Sequence, residues 1–447
     1  MQNSHVKTRL IVLSFLQFAV WGAYLTSMGR YLGSVGMGSN IGWFYSVQGI
    51  VSIFMPALMG IVADRWVPAQ RVLAFCHAMA ALFMGITGYI GMTKGADVLF
   101  NDLFWTYTLS VAFYMPTLAL SNSVSYTALN KAGLDTVKAF PPIRVFGTVG
   151  FIVSMLIVDF TGFQNDFNQF FTSAAWGAVI ALYSLSLPSC PVNKGGEKKS
   201  MASALGLDAF KLFNQRRMAM FFIFSMLLGA ALQVSNGYAN TFINGFGAIE
   251  EYAGTFAVEH TNMLISLSQL SETLCILLIP FFLKKFGIKK VMLIAMLGWV
   301  FRFGFFAVGD PGMPGVLFFV LSMIVYGVAF DFFNVSGGLF VDKETDPSIR
   351  SSAQGLFMIM TNGIGATVGT FIAGKYVVNR LALADGLTPV QQLEGWRESW
   401  YIFAAYAMVV AILFIFIFRN PKEHVTKRDI SEAEETNSGA DGFVANA

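Results

Sequence analysis

The chain has 447 residues, of which 55% are hydrophobic and 12% are charged, and its formal net charge at pH 7 is +3. Soluble globular proteins usually carry about 25% charged residues, and one soluble core could not bury so much apolar surface, so lipid must cover the rest. The small net charge gives no reason to expect nucleic acid, and the three scattered cysteines and four histidines give none to expect a metal site.

Apolar stretches of about 20 residues, the length that a helix needs to cross a bilayer, recur along the whole chain. The first lacks a small-residue cleavage site, so we interpret it as a span rather than a signal peptide. The first six predicted spans are 10–30, 41–63, 71–92, 102–127, 142–161 and 168–188. The second six are 217–240, 261–284, 288–308, 314–341, 350–374 and 397–418. We therefore predict an all-α polytopic membrane protein with twelve transmembrane helices.

The spans fall into two sets that are separated by a polar segment. The predicted units are two six-helix bundles, 1–189 and 217–419, joined by a cytoplasmic linker, 190–216. The tail, 420–447, is charged and lacks apolar periodicity, and it is predicted to be disordered. Most of the 29 basic residues fall in the loops on the side of the linker, which predicts that both termini are cytoplasmic.

The two sets of spans also share a local pattern. Asn122 follows Tyr114 in span 4 at the same spacing as Asn334 follows Tyr326 in span 10, as a parallel six-helix repeat would place them. The segment 60–71 resembles the short cytoplasmic loop motif of the major facilitator superfamily. Together with the basic linker, these features favour the major facilitator fold.

Two carboxylates lie well inside apolar stretches, Glu272 in span 8 and Asp331 in span 10. A charge inside a membrane costs roughly 2.5–3.5 kcal/mol even on the lenient insertion scale. Each acid should therefore face an internal cavity, and each is a candidate proton acceptor. The alternative is a buried structural hydrogen bond to a neighbouring helix.

Polar and aromatic residues share helix faces around these acids. The faces contain Arg144, Thr148 and Phe151 in span 5, Gln233 and Asn236 in span 7, Gln269 and Glu272 in span 8, and Tyr326, Phe330 and Asp331 in span 10. Amides match the edge of a nucleobase, rings stack on its face, and carboxylates accept hydrogen bonds from ribose hydroxyls. The same groups suit a sugar, so the residues alone predict a neutral, polar, partly flat solute. For any single pair, helix packing is the alternative.

Longer motifs carry a closer resemblance, which extends from about residue 10 to residue 419. They include Phe140-Pro-Pro-Ile-Arg144, Ser268-Gln-Leu-Ser-Glu272 and Phe330-Asp-Phe-Phe-Asn334. These motifs resemble the nucleoside:proton symporter family of the major facilitator superfamily. The resemblance implies proton-driven nucleoside import across the bacterial inner membrane, with the proton as coupling ion and no cofactor. It implies a monomer that takes up nucleosides such as uridine and adenosine. Whether xanthosine is also a substrate stays open.

The resemblance assigns the ten residues on the four faces to substrate binding, and Asp331 and Glu272 to proton coupling, with Asp331 favoured. Arg144 has a second interpretation as an anchor to phosphate head groups. A proton-coupled sugar symporter on the same fold and a non-transporting nutrient sensor stay open as alternatives. An enzyme is not expected, because the spans contain no nucleophile–base pair.

Overall fold

The computed structural model describes residues 2–134, 136–190, 207–345 and 350–418. Every regular element in these ranges is helical, which confirms the all-α prediction for the part described. The predicted tail, 420–447, lies outside the described residues, as does 191–206 of the predicted linker. The described part of the linker contains a 3₁₀ helix, Leu207–Asn214.

The first half of the described chain is built on six long helices. They are α1 (Gln2–Gly22), α2 (Ile41–Arg65), α3 (Ala69–Lys94), α4 (Phe100–Lys131), α5 (Thr136–Phe160) and α6 (Asn168–Leu185). The predicted first span, 10–30, is not one continuous helix, because α1 ends at Gly22 and a separate short helix, Met28–Ser34, follows. The Tyr45 hydroxyl donates to the Leu25 carbonyl oxygen in the turn between them and stabilises this break.

The second half begins with α7 (Arg216–Gly245). The helix Thr261–Val308 is broken at Gly287, whose φ of 74° and ψ of 166° lie outside the helical region and suit glycine. We number its two parts α8 (261–286) and α9 (288–308). The remaining helices are α10 (Val316–Glu344), α11 (350–381, with π-helical turns at Ile359–Gly365 and Ala373–Val378) and α12 (Pro389–Ile417).

The start of α12 differs from the predicted start of span 12 at residue 397. The helix begins at Pro389 because Thr388 caps it: the Gln391 amide donates to Thr388 Oγ1 at 3.3 Å, and the Thr388 amide donates to Gln391 Oε1 at 2.9 Å. This reciprocal pair is a capping box. A search for apolar stretches does not register it, because the first turns of this helix are polar.

Nine helices in the described ranges are long and apolar enough to cross a membrane, with Thr261–Val308 counted once. Helices α1 and α6 are not among them, since polar residues such as Arg9 and Gln169 lower their mean hydropathy. The polytopic character is confirmed, while the count of twelve spans stays a prediction.

The two halves, α1–α6 and α7–α12, are hydrogen-bonded to each other at the end of the bundle away from the N-terminus. Ser46 Oγ of α2 donates to the Thr367 carbonyl oxygen of α11 at 3.1 Å. At the tip of the same interface, Asn379 Nδ2 donates to the Ser39 carbonyl oxygen at 2.7 Å. The other hydrogen bonds between described residues of the two halves lie at this end as well. The bundle is therefore fastened on this side.

Candidate functional site

Three charged residues interact where the two halves face each other. Arg144 lies on α5, Glu272 on α8 and Asp331 on α10. The guanidinium lies within electrostatic range of both carboxylates. Its carbon lies 3.8 Å from the centre of the Phe18 ring on α1, a cation–π contact that holds it in place. Arg144 therefore presents a positive charge of the first half to two negative charges of the second.

Asp331 is the more buried of the two acids, with 3% of its surface exposed, whereas Glu272 is half-buried. The Oδ2 atom of Asp331 is buried and has no hydrogen-bond partner among the described residues. Buried polar atoms are normally paired, so this oxygen marks a position where a proton or a donor group can bind. When both acids are ionised, two carboxylates and one guanidinium leave one uncompensated negative charge.

An aromatic face adjoins Asp331 on the same helix. The Tyr326 and Phe330 rings are stacked, with centroids 6.0 Å apart and an interplanar angle of 23°. Trp299 of α9 contacts Tyr326 edge-on at 6.0 Å, and the Asn236 side chain of α7 interacts with Tyr326. Phe330 stays partly exposed, so a flat solute can reach its ring.

A small cavity lies beside this aromatic face, inside the second half. Phe330 and Asn334 line it together with residues of α7, α9 and α11. Arg144, Glu272 and Asp331 do not line this cavity. We therefore place the candidate site at the facing charges and the Phe330 ring, where both halves contribute, rather than in the cavity itself.

The remaining predicted residues surround this centre. Gln233 is 9% exposed, and its Nε2 donates to the Tyr45 carbonyl oxygen at 3.4 Å, across the boundary between the halves. Phe151 is 6% exposed on α5. Thr148 follows Arg144 by one turn and Gln269 precedes Glu272 by one turn. Both are half-buried, and neither side chain has a hydrogen-bond partner among the described residues.

Sequence reasoning gave no role to Arg302, which lies in α9 behind the aromatic face. Its guanidinium carbon is 4.5 Å from the centre of the Tyr326 ring, and only 2% of the residue is exposed. Arg302 could have been identified from its position inside predicted span 9, since a charged residue within a membrane span usually has a functional role.

A buried polar network in the first half was missed as well. Gln17 Nε2 donates to Thr117 Oγ1 at 2.7 Å, and Gln17 Oε1 lies 2.9 Å from His77 Nε2. The Tyr114 hydroxyl donates to the Gln17 carbonyl oxygen at 2.8 Å, and Tyr114 interacts electrostatically with Arg144. The network thus lies directly behind the positive charge of the site.

The third feature that sequence reasoning missed is a polar cluster at the fastened end of the bundle. Asp159, at the end of α5, has Oδ2 at 2.6 Å from Nδ1 of His260 in the second half. Its Oδ1 accepts from Gln164 Nε2 at 2.6 Å and from the Asn262 amide at 3.0 Å. Arg30 donates to Gln164 at 3.3 Å and to two acceptors of the second half. We call these five residues the Asp159 cluster.

The model of the nucleoside H⁺ symporter family matches residues 4–423. The chain is 46% identical over 416 residues to the xanthosine permease of Escherichia coli (strain K12). It is 45% identical over 417 residues to the nucleoside permease NupG of the same organism. Each alignment covers 93% of this chain and 96% of the relative.

The fold is similar to a crystal structure of the nucleoside transporter NupG. The TM-score is 0.83 at 45% sequence identity, and the match covers 93% of this chain and 100% of the other. The structural similarity therefore extends over most of the chain.

Proposed function

Since the chain belongs to the nucleoside H⁺ symporter family, we propose that it imports nucleosides together with protons across the bacterial inner membrane. The relatives at 45–46% identity are permeases, so the chain is a transporter and not an enzyme. One feature carries the mechanism: Arg144 of one half lies within electrostatic range of Glu272 and Asp331 of the other half. A site that both halves share can be exposed to either side of a membrane when the halves rock.

In the proposed topology, α1–α12 each cross the membrane, and the units are the bundles 1–189 and 217–419. Both termini and the 190–216 linker are cytoplasmic, because the basic loops lie on that side. The end with the Asp159 cluster is then extracytoplasmic. The structure is fastened at that end, so it corresponds to a state that opens towards the cytoplasm. We propose that the monomer is the working unit.

Substrate recognition follows from the chemistry of the ten site residues. The amides of Gln233, Asn236 and Gln269 are suited to the base or ribose edge. Phe151 and Phe330 would hold the flat base between them, and stacking on a ring contributes roughly 1–3 kcal/mol per base in nucleic-acid complexes. The remaining positions are Arg144, Thr148 and Tyr326, with Glu272 and Asp331 as acceptors for ribose hydroxyls. Uridine and adenosine are the proposed substrates, and xanthosine stays open.

The proton is the proposed coupling ion, and no cofactor takes part. In the empty site, the uncompensated negative charge opposes closure around a desolvated interior. One proton on Asp331 or Glu272 neutralises the site and permits the transition. We favour Asp331, because it is the more buried acid and one of its oxygens has no partner among the described residues. At a membrane potential of about 100 mV, each inward proton contributes roughly 2.3 kcal/mol.

The test is uptake of labelled uridine into proteoliposomes with an imposed inward proton gradient. Wild type should accumulate uridine, whereas Asp331→Asn should lose accumulation but keep uridine exchange across the membrane at equal pH. Asp385→Asn is the matched control, since Asp385 is an exposed loop carboxylate. No uptake by folded wild type, or competition by a disaccharide rather than by nucleosides, would contradict the proposal.

A further inference from the structure

Arg302 connects three neighbouring helices of the second half. Its Nε donates to Ser235 Oγ of α7 at 2.7 Å. One terminal nitrogen donates to the Ser322 carbonyl oxygen of α10 at 2.8 Å and, at 3.3 Å, to Ser268 Oγ of α8. Ser322 Oγ donates back to the Arg302 carbonyl oxygen at 2.9 Å. The side chain and backbone of one residue therefore fix α7, α8 and α10 against α9.

Each of these contacts lies next to a residue of the substrate site. Ser235 precedes Asn236, Ser268 precedes Gln269, and Ser322 lies one helical turn before Tyr326. The guanidinium also lies against the Tyr326 ring, at 4.5 Å from its centre. A displacement of the guanidinium would move the backbone that carries Asn236 and Gln269, and would remove the support of the Tyr326 ring.

The cost of burying this charge argues for a specific role. Arg302 is 2% exposed, and no carboxylate among the described residues forms a salt bridge with it. A neutral amide could tie helices together at a much lower desolvation cost. A guanidinium has several donors in a rigid planar fork, and here they reach three helices at once while its face contacts an aromatic ring. This geometry therefore orients the contacted helices and the aromatic ring as well as holding them together.

We propose that Arg302 is the positioning residue of the substrate site, because its guanidinium sets Asn236, Gln269 and Tyr326 in the arrangement that binds the nucleoside. The inference rests on the proposed function. Arg302 lies behind the site side chains and acts through them.

Uridine binding to the purified full-length protein, measured by isothermal titration calorimetry, tests the inference. Arg302→Lys keeps the charge but loses the fork, and it should raise the Kd about tenfold or more. Ser235→Ala removes one acceptor and should raise the Kd roughly 3- to 10-fold. Ser225→Ala is the matched control, since Ser225 is a buried serine of α7 whose hydroxyl donates to the Phe221 carbonyl oxygen of the same helix; its Kd should stay within about twofold of wild type.

The melting temperature of each variant separates positioning from a purely structural role. A lower melting temperature with an unchanged Kd for Arg302→Lys, measured well below the transition, would overturn the inference. If Arg302→Lys does not fold, Ser235→Ala decides, because it retains the guanidinium; a wild-type Kd for this variant would overturn the inference. If the wild type does not bind uridine, both the proposed function and the inference are refuted. If the wild type binds uridine and the variants have the same Kd, only the inference is refuted.

Discussion

Neutralising Asp159 should open the end of the bundle that holds the Asp159 cluster. The carboxylate can only accept, and it serves three donors: Gln164 Nε2, the Asn262 amide and His260 Nδ1. Two of these donors, on Asn262 and His260, belong to the other half. Asp159→Asn keeps the size of the side chain but leaves one acceptor oxygen and adds a donor. The contact with His260 then survives only as a neutral hydrogen bond with Nδ1 as the acceptor, so both contacts between the halves lose their charge. The Asp159 side chain has no exposed surface where water could compensate.

The size of the effect follows from these contacts. Hydrogen bonds to a charged group contribute about 1.5–3 kcal/mol each. With both contacts between the halves weakened to neutral hydrogen bonds, which contribute about 0.5–1.5 kcal/mol each, we expect the closed state to lose about 2–3 kcal/mol. This corresponds to a shift of roughly 30- to 150-fold in the equilibrium between the closed and open states. A closed state populated at 99:1 would then approach equal populations.

The assay is a distance distribution between spin labels on the two halves, measured by pulsed electron paramagnetic resonance in liposomes. Labels can be placed at cysteines substituted for Asp97 and Glu251, which are exposed, while the native cysteines Cys76, Cys190 and Cys275 are buried. Asp159→Asn should add a population at longer distance.

Asp166→Asn is the matched control, because Asp166 Oδ1 accepts from the Asn168 amide within the first half. Its distribution should equal that of the wild type. The reasoning is refuted if Asp159→Asn, folded and with its melting temperature recorded, gives the wild-type distribution. It is refuted equally if Asp166→Asn opens the protein as far.

Two further substitutions test the site and the packing. Phe330→Ala should raise the Kd for uridine by roughly 5- to 150-fold in calorimetry, since base stacking contributes about 1–3 kcal/mol. The control Phe416→Ala, which changes an exposed side chain, should leave the Kd unchanged. Equal Kd values for the two variants would exclude Phe330 from the site. Gly229→Ala should lower the melting temperature by an amount equivalent to about 1–3 kcal/mol, because its Cβ would lie 2.0 Å from the Thr361 carbonyl oxygen. Gly60→Ala, with open space around its Cβ, is the control, and a loss of the same size there would contradict the packing argument.

Hydropathy predicted most helices to within a few residues, and α3, observed at Ala69–Lys94 against a predicted 71–92, is typical. It failed where tertiary contacts or polar caps decide the backbone. The break after Gly22 depends on Tyr45, which is distant in sequence, and the early start of α12 depends on Thr388. Neither contact changes the apolar content of a window, so neither is visible to a method that counts apolar residues.

The helix faces that carry the proposed site residues were predictable, since a face needs only local spacing. Pairing across the bundle was not, because it depends on which helices become neighbours. His260 and Asp159 are separated by 101 positions, and no local pattern joins them. The sequence does show that Arg302 and His77 are polar residues inside apolar spans, but their partners follow only from the three-dimensional arrangement.

The buried charges of the second half differ in one respect that relates to transport. Arg302 donates to acceptors on three helices, so these contacts persist whether or not a solute is bound. Asp331 lies one turn beyond Tyr326 and retains an oxygen without a partner among the described residues. A group that takes up and releases a proton in each cycle cannot have all its hydrogen-bonding positions permanently occupied. A group that orients its neighbours, in contrast, needs permanent hydrogen-bond partners. In the proposed mechanism, the same helix bundle therefore supports a fixed charge behind the site and an exchangeable one within it.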